Sequence, residues 1–206
     1  MTSVQRIAGV LLAGGQSRRM GGGDKCLRTL GGETILARIL ARVRPQVGPL
    51  VLNANGDPAR FASYGIPVAR DVVEGFAGPL AGVLTGLEWA RANGPECPLV
   101  ASFACDAPFL PEDLVARLHA AMKRDGADLA CATSGGREHP VFGLWPVALA
   151  HALRRALVDE DMRTVDAFTA RYKLARADFA CDPVDPFFNV NAPEDMREAE
   201  SLLARA

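Results

Sequence analysis

The sequence predicts an α/β fold, and three observations predict it. Apolar runs with the character of short buried strands stand at Ile7–Leu12, Leu50–Ala54, Pro67–Arg70 and Leu99–Ala104, each bounded by polar residues, proline or glycine. Between them lie segments with apolar residues three and four apart, the pattern of helices that bury one face. The carboxyl ends of the runs deliver a glycine-rich loop, then Asn53, Asp71 and Asp106. In an open parallel sheet these ends share one edge, where ligands bind.

At 206 residues the chain fits one domain over 1–206, long enough for a full core. A net charge of -1 offers no electrostatic case for nucleic acid or a membrane surface. No stretch approaches a membrane span, and MTSVQRIAG lacks a signal peptide's apolar core, so a cytoplasmic protein is expected. The five cysteines are widely spaced and odd in number, which predicts free thiols rather than disulfides or a zinc site. Cys26 and Cys105 read as packing residues.

The first run leads into VLLAGGQSRRMGGGDK, Val10–Lys25. Its glycines allow close backbone approach to a ligand and can aim several N–H groups at one anion. Arg18, Arg19 and Lys25 add positive charge, so the loop reads as a cradle for a nucleoside triphosphate or, without further support, a flexible basic turn. It is not a Walker A loop, since Asp24 precedes Lys25 and Cys26 follows it; no G-x-G-x-x-G fits either.

Glu33–Arg44 is predicted as a helix ending before Pro45. A second helix, Pro79–Asn93, starts with proline and carries Gly78, Gly82 and Gly86 along one line. Each helical glycine costs about 1 kcal/mol against alanine; a close approach by the sheet or by a ligand explains the line equally well. After Leu99–Ala104, Asp106 is placed over the sheet edge, either as a turn residue or as a carboxylate for Mg²⁺. Pro111–Arg124 reads as a helix stopped by Gly126. Strands at Asp128–Thr133 and Pro140–Trp145 flank the turn Ser134-Gly135-Gly136-Arg137, where Arg137 and His139 are candidates to face an anion. Helices at Val147–Leu157 and Met162–Ala170 precede an edge strand, Leu174–Asp178. Alternation through Phe187–Asn191 predicts Asn189 and Asn191 on one side, before a last helix, Pro193–Leu203.

The string LAGGxSxRMGxxDK resembles the signature of nucleotidyltransferases that activate sugar phosphates and cofactors, in the glycosyltransferase-A-like superfamily. With LNAN, RDVVEGFAGPLAG, CDAPFLP, REHPVFGLWP and FFNVNAPEDM in order, nearly the whole chain is similar to the molybdenum cofactor guanylyltransferases. The resemblance implies a Rossmann-like three-layer sandwich with a mostly parallel central sheet. It implies that Leu12, Ala13, Gly14, Gly15, Lys25, Asn53, Asp71 and Asp106 bind GTP, with Asp106 also the Mg²⁺ ligand. It also implies that Gly78, Gly82, Asn189 and Asn191 hold the second substrate, molybdopterin, or the nucleotide's far side, and that Arg137 and His139 face an anionic substrate. Arg163 matches a family arginine without a derivable role.

The expected reaction moves GMP from Mg-GTP to the terminal phosphate of molybdopterin and releases pyrophosphate. Such transfers demand positioning and charge neutralisation rather than a strong base, in keeping with only three histidines. Lys25 and Arg19 would stabilise the triphosphate, and Asp106 would hold the metal. Molybdoenzyme-specific chaperones or cofactor-insertion proteins are further implied partners. The rival readings are a related enzyme using CTP or a sugar 1-phosphate, and a GTP-binding adaptor without turnover.

Overall fold

Strand β1, Ile7–Leu12, is buried along nearly its whole length, and the chain folds around it. The computed structural model describes residues 6–13, 24–75 and 78–204. Gly14, Gly15 and Arg19, with the rest of the loop up to Gly23, lie outside them.

The other sheet strands are β4 (Leu50–Asn53), β5 (Val68–Ala69), β6 (Leu99–Ala104), β7 (Leu129–Ser134), β8 (Arg137–Pro146) and β9 (Leu174–Phe179). They form one sheet of order β5-β4-β1-β6-β8-β7-β9. All pairs are parallel except those of β8, which runs against both β6 and β7. Helices α1 (Ile35–Val43), α3 (Leu114–Asp125) and α6 (Pro193–Leu203) contribute to the core on one face. Helices α2 (Pro79–Asn93), α4 (Ala150–Val158) and α5 (Val165–Thr169) cover the other. The molecule is therefore an α/β three-layer sandwich around a mostly parallel sheet. No helix among the described residues is long and apolar enough to cross a membrane.

Several boundaries differ from expectation for local reasons. Gly31 and Gly32, both at positive φ, close a small antiparallel pair, β2 (Thr29–Leu30) and β3 (Glu33–Thr34). The first helix therefore starts at Ile35, with Thr34 Oγ1 accepting from Ala37 N. Helix α3 begins at Leu114 rather than Pro111, because Val115 N, which a helix from Pro111 would aim at the Pro111 carbonyl, instead donates to Gln46 Oε1 at 3.0 Å. Val147–Leu149 is a 3₁₀ turn ahead of α4, and α5 is shortened by the cap at Thr164.

The glycine line on α2 is a packing device at two of its three positions. A Cβ on Gly86 would lie 2.6 Å from Val10 Cβ, and one on Gly82 would lie 2.7 Å from Leu12 Cδ2 and 2.5 Å from Asn53 Oδ1. Close seating of α2 on β1 and β4 is what these glycines permit.

Candidate functional site

Along the carboxyl edge of the sheet, backbone bonds hold the strand ends together. Ala13 N donates to Asn53 O at 2.9 Å and Cys105 N to Leu12 O at 3.2 Å. Leu12, Ala13, Asn53 and Asp106 therefore come to one wall by strand register alone. That wall bounds an open cavity of about 350 Å³, whose lining also includes Lys25, Cys26, Gly78, Cys105, His139 and Asn189. The described residues on either side of the amino-terminal loop, Leu12 and Ala13 before it and Lys25 after it, thus meet the acid after β6 at one cavity.

Lys25 follows the loop directly and opens a 3₁₀ turn, Lys25–Leu27. Its Nζ donates to Asn191 Oδ1 at 2.7 Å. Burial pushes the Asp106 carboxyl above the ordinary carboxylate range, while the Lys25 charge and a backbone hydrogen bond pull it down. The Asn189 amide, with its NH₂ turned inward as the network requires, sits 3.3 Å from Asp106 Oδ1. The segment carrying both asparagines is irregular rather than a strand. It is pinned by Val190 N donating to Asp106 O at 2.8 Å, and the expected sidedness holds without a strand: Asn189 and Asn191 reach Asp106 and Lys25 while Val190 is buried in the core. Nor does Asn191 cap the last helix: Asp195 Oδ2 accepts from Asn191 N at 2.7 Å and Ala192 N at 2.8 Å.

At the far side of the cavity, His139 and Ser134 belong to the β7–β8 hairpin. Ser134 Oγ donates to Asp185 Oδ1 at 2.9 Å and meets His139 Nε2 at 2.8 Å. The imidazole stacks at 4.7 Å on Phe187. Burial lowers the His139 pKa, Asp185 opposes that and Arg137 reinforces it. Ser134 and Asp185 carry no sequence signal, being ordinary polar residues 51 positions apart. Arg137, by contrast, is exposed at the start of β8 and lies outside the cavity lining.

Asp71 also lies outside the lining, directly behind Asn53, whose Nδ2 donates to Asp71 Oδ1 at 2.9 Å. Asn55 Nδ2 donates to Asp71 Oδ2 at 2.8 Å. Gly82 sits beneath Asn53 and Leu12 and does not reach the cavity, whereas Gly78 does. Burial pushes the Cys26 thiol up to about 12 and that of Cys105 well above its ordinary value, so neither is a nucleophile near neutral pH. None of the five cysteines, all of them among the described residues, forms a disulfide.

Among the described residues no group of three or more His, Cys, Asp and Glu converges on a metal-sized site. One partly buried carboxylate beside an open cavity is nevertheless a fitting donor set for a hard cation whose other ligands are phosphate oxygens and water.

Residues 9–175 match the family model described as the MobA-like NTP transferase domain. A protein named molybdenum cofactor guanylyltransferase from Bradyrhizobium sp. (strain ORS 278) is 58% identical over 96% of this chain and 93% of its own length. One of the same name from Mesorhizobium japonicum is 54% identical, covering 96% of each chain. In fold, the chain is similar to molybdopterin-guanine dinucleotide biosynthesis protein A from Archaeoglobus fulgidus, with a TM-score of 0.75, 20% identity, and coverage of 97% and 100% of the two chains. It is also similar to CMP:2-keto-3-deoxy-manno-octonic acid synthetase, at a TM-score of 0.72 and 12% identity over 98% and 99% of the chains. The chain belongs to the MobA-like NTP transferase family, among the molybdenum cofactor guanylyltransferases, and is a nucleotidyltransferase.

Proposed function

We propose that the enzyme transfers GMP from Mg-GTP to the terminal phosphate of molybdopterin, releasing pyrophosphate and forming the guanine dinucleotide cofactor. The observation that carries this reading is the convergence of Lys25, Asn53 and Asp106 on one cavity, in a chain 54–58% identical to proteins of that name. In this reading the triphosphate lies toward Lys25 and the loop that includes Gly14, Gly15 and Arg19. The base lies toward Asn53 and Asp71. Guanine offers N1–H and N2–H₂ donors, which suit an acceptor such as Asn53 Oδ1 at the cavity wall, with Asp71 behind it holding the amide in place.

Molybdopterin takes the side of the cavity lined by Gly78, His139 and Asn189. Its phosphate is already anionic, so the protein needs to orient it and spread charge rather than remove a proton. Lys25 stabilises the charge that grows on the leaving pyrophosphate. Asp106, with Asn189 beside it, would hold Mg²⁺. When bound, the metal neutralises phosphate charge and aligns the oxygens for in-line displacement. Cysteines kept out of disulfides suit a reducing cytoplasm, from which the product passes to molybdoenzyme-specific chaperones or cofactor-insertion proteins.

The deciding experiment supplies Mg²⁺, molybdopterin and each of the four labelled nucleoside triphosphates, scoring base incorporation and pyrophosphate. Guanine incorporation is expected. Cytosine incorporation would reassign the nucleotide, and GTP binding without pyrophosphate release would make the protein an adaptor.

A further inference from the structure

Arg60 sits on a 3₁₀ turn, Pro58–Tyr64, just beyond the bend that follows β4. Its guanidinium serves three partners. It forms an ion pair with Asp24 through Nε, and Nη2 lies 3.4 Å from Asp24 Oδ1. Nη2 also donates to Asn55 O at 2.6 Å, and Nη1 donates to Asp57 O at 2.5 Å. Side-chain exposures of 28% for Arg60 and 21% for Asp24 leave the pair less screened than an ordinary surface bridge.

Two of these partners, Asp24 and Asn55, lead to different ends of the cavity. Asp24 immediately precedes Lys25. Asn55 exchanges two hydrogen bonds with Asp71, its Nδ2 donating to Oδ2 at 2.8 Å and its Oδ1 accepting from Asp71 N at 3.1 Å. The second Asp71 oxygen accepts from Asn53 Nδ2 at 2.9 Å. A continuous run of polar contacts therefore joins Asp24, Arg60, Asn55, Asp71 and Asn53. The planar guanidinium spreads its donors over two terminal nitrogens and so spans Asp24 and the two carbonyls at fixed angles; an ammonium offers its donors from a single nitrogen without that geometry.

We infer that Arg60 is a positioning residue that couples the phosphate end of the nucleotide site to its base end, fixing Asp24 beside Lys25 and, through Asn55 and Asp71, the amide of Asn53. The inference rests on the proposed orientation of GTP. Loosening the fork lets the two ends shift independently. Nucleotide binding and base choice then suffer, while the transfer step proceeds once a nucleotide is seated.

Steady-state kinetics with GTP and ITP, which lacks the 2-amino group, test this on the wild type, Arg60→Gln, Arg60→Lys, Asp24→Asn and the Arg60→Gln/Asp24→Asn double variant. Arg60→Gln is expected to raise KM for GTP about tenfold with kcat within about twofold, because Lys25 keeps its own anchor on Asn191 and the loosened contacts serve ground and transition states alike. The ratio of kcat/KM for GTP over ITP should narrow at least about threefold in Arg60→Gln and also in Arg60→Lys, which keeps the charge but not the fork. The double variant should be no worse than Arg60→Gln alone. Equal losses for GTP and ITP overturn the coupling, as do wild-type kinetics in Arg60→Gln, or a lowered Tm with unchanged kinetics. If Arg60→Gln does not fold, the Arg60→Lys ratio decides. A wild type that uses CTP instead of GTP overturns the functional reading, and does so before any variant is made.

Discussion

Lys25 and Asp106 line the same cavity with opposite charges, and burial acts on the acid. The raised folded-state pKa of Asp106 has a definite sign. Between the unfolded and folded values the native state keeps a proton that the unfolded chain has lost, so stability falls as pH rises through that window. Asp106→Asn should therefore leave the nucleotide-free protein at least as stable as wild type near neutral pH while abolishing Mg²⁺-dependent pyrophosphate release. A lower Tm at neutral pH would contradict the burial cost, and retained turnover would remove Asp106 from the metal role. Lys25→Ala deletes charge-assisted bonds, each of about 1.5–3 kcal/mol, and should cut kcat/KM at least about tenfold; an unchanged value would count against the cradle. Both residues were legible because motif and strand-end position agreed. Ser134, Asp185 and Arg60 were not, because each acts through a partner far away in sequence and none has a local pattern of its own.

At the level of elements, α2 was read from end to end because proline at its start and an apolar stripe left no alternative. Its glycines remained ambiguous until the sheet was seen beneath them. Gly86 gives a test with an unusual sign. In an open helix Gly→Ala would stabilise by about 1 kcal/mol. Here the new methyl would meet Val10 Cβ at 2.6 Å, and Gly86→Ala should destabilise by about 1–3 kcal/mol in urea unfolding. A gain in stability would mean that α2 is not seated this closely. The β2–β3 pair escaped the sequence reading because two-residue strands show no period. The start of α3 was not legible because the competing acceptor of Val115 N, Gln46 Oε1, is 69 residues away.

Over the whole molecule, the parallel half of the sheet followed from strands alternating with helices. The β7–β8 hairpin was marked by Gly135-Gly136, which take φ of 53° and 76°. The placement of β9 beside β7 was not legible, since it depends on how α4 and α5 return the chain. With core on both faces of one continuous sheet, residues 1–206 should unfold in one cooperative transition. Far-ultraviolet circular dichroism should report the same midpoint as fluorescence, which follows the buried Trp145. Separate midpoints would argue for two units.

The bond from Lys25 to Asn191 joins positions 166 residues apart. During synthesis, the first half of that contact leaves the ribosome early and waits for nearly the entire chain before the second half arrives. A nascent polypeptide released short of the asparagine-bearing segment would therefore carry the phosphate-facing lysine without its anchor. The order of translation itself keeps an unfinished chain from presenting a complete nucleotide cradle to the cell.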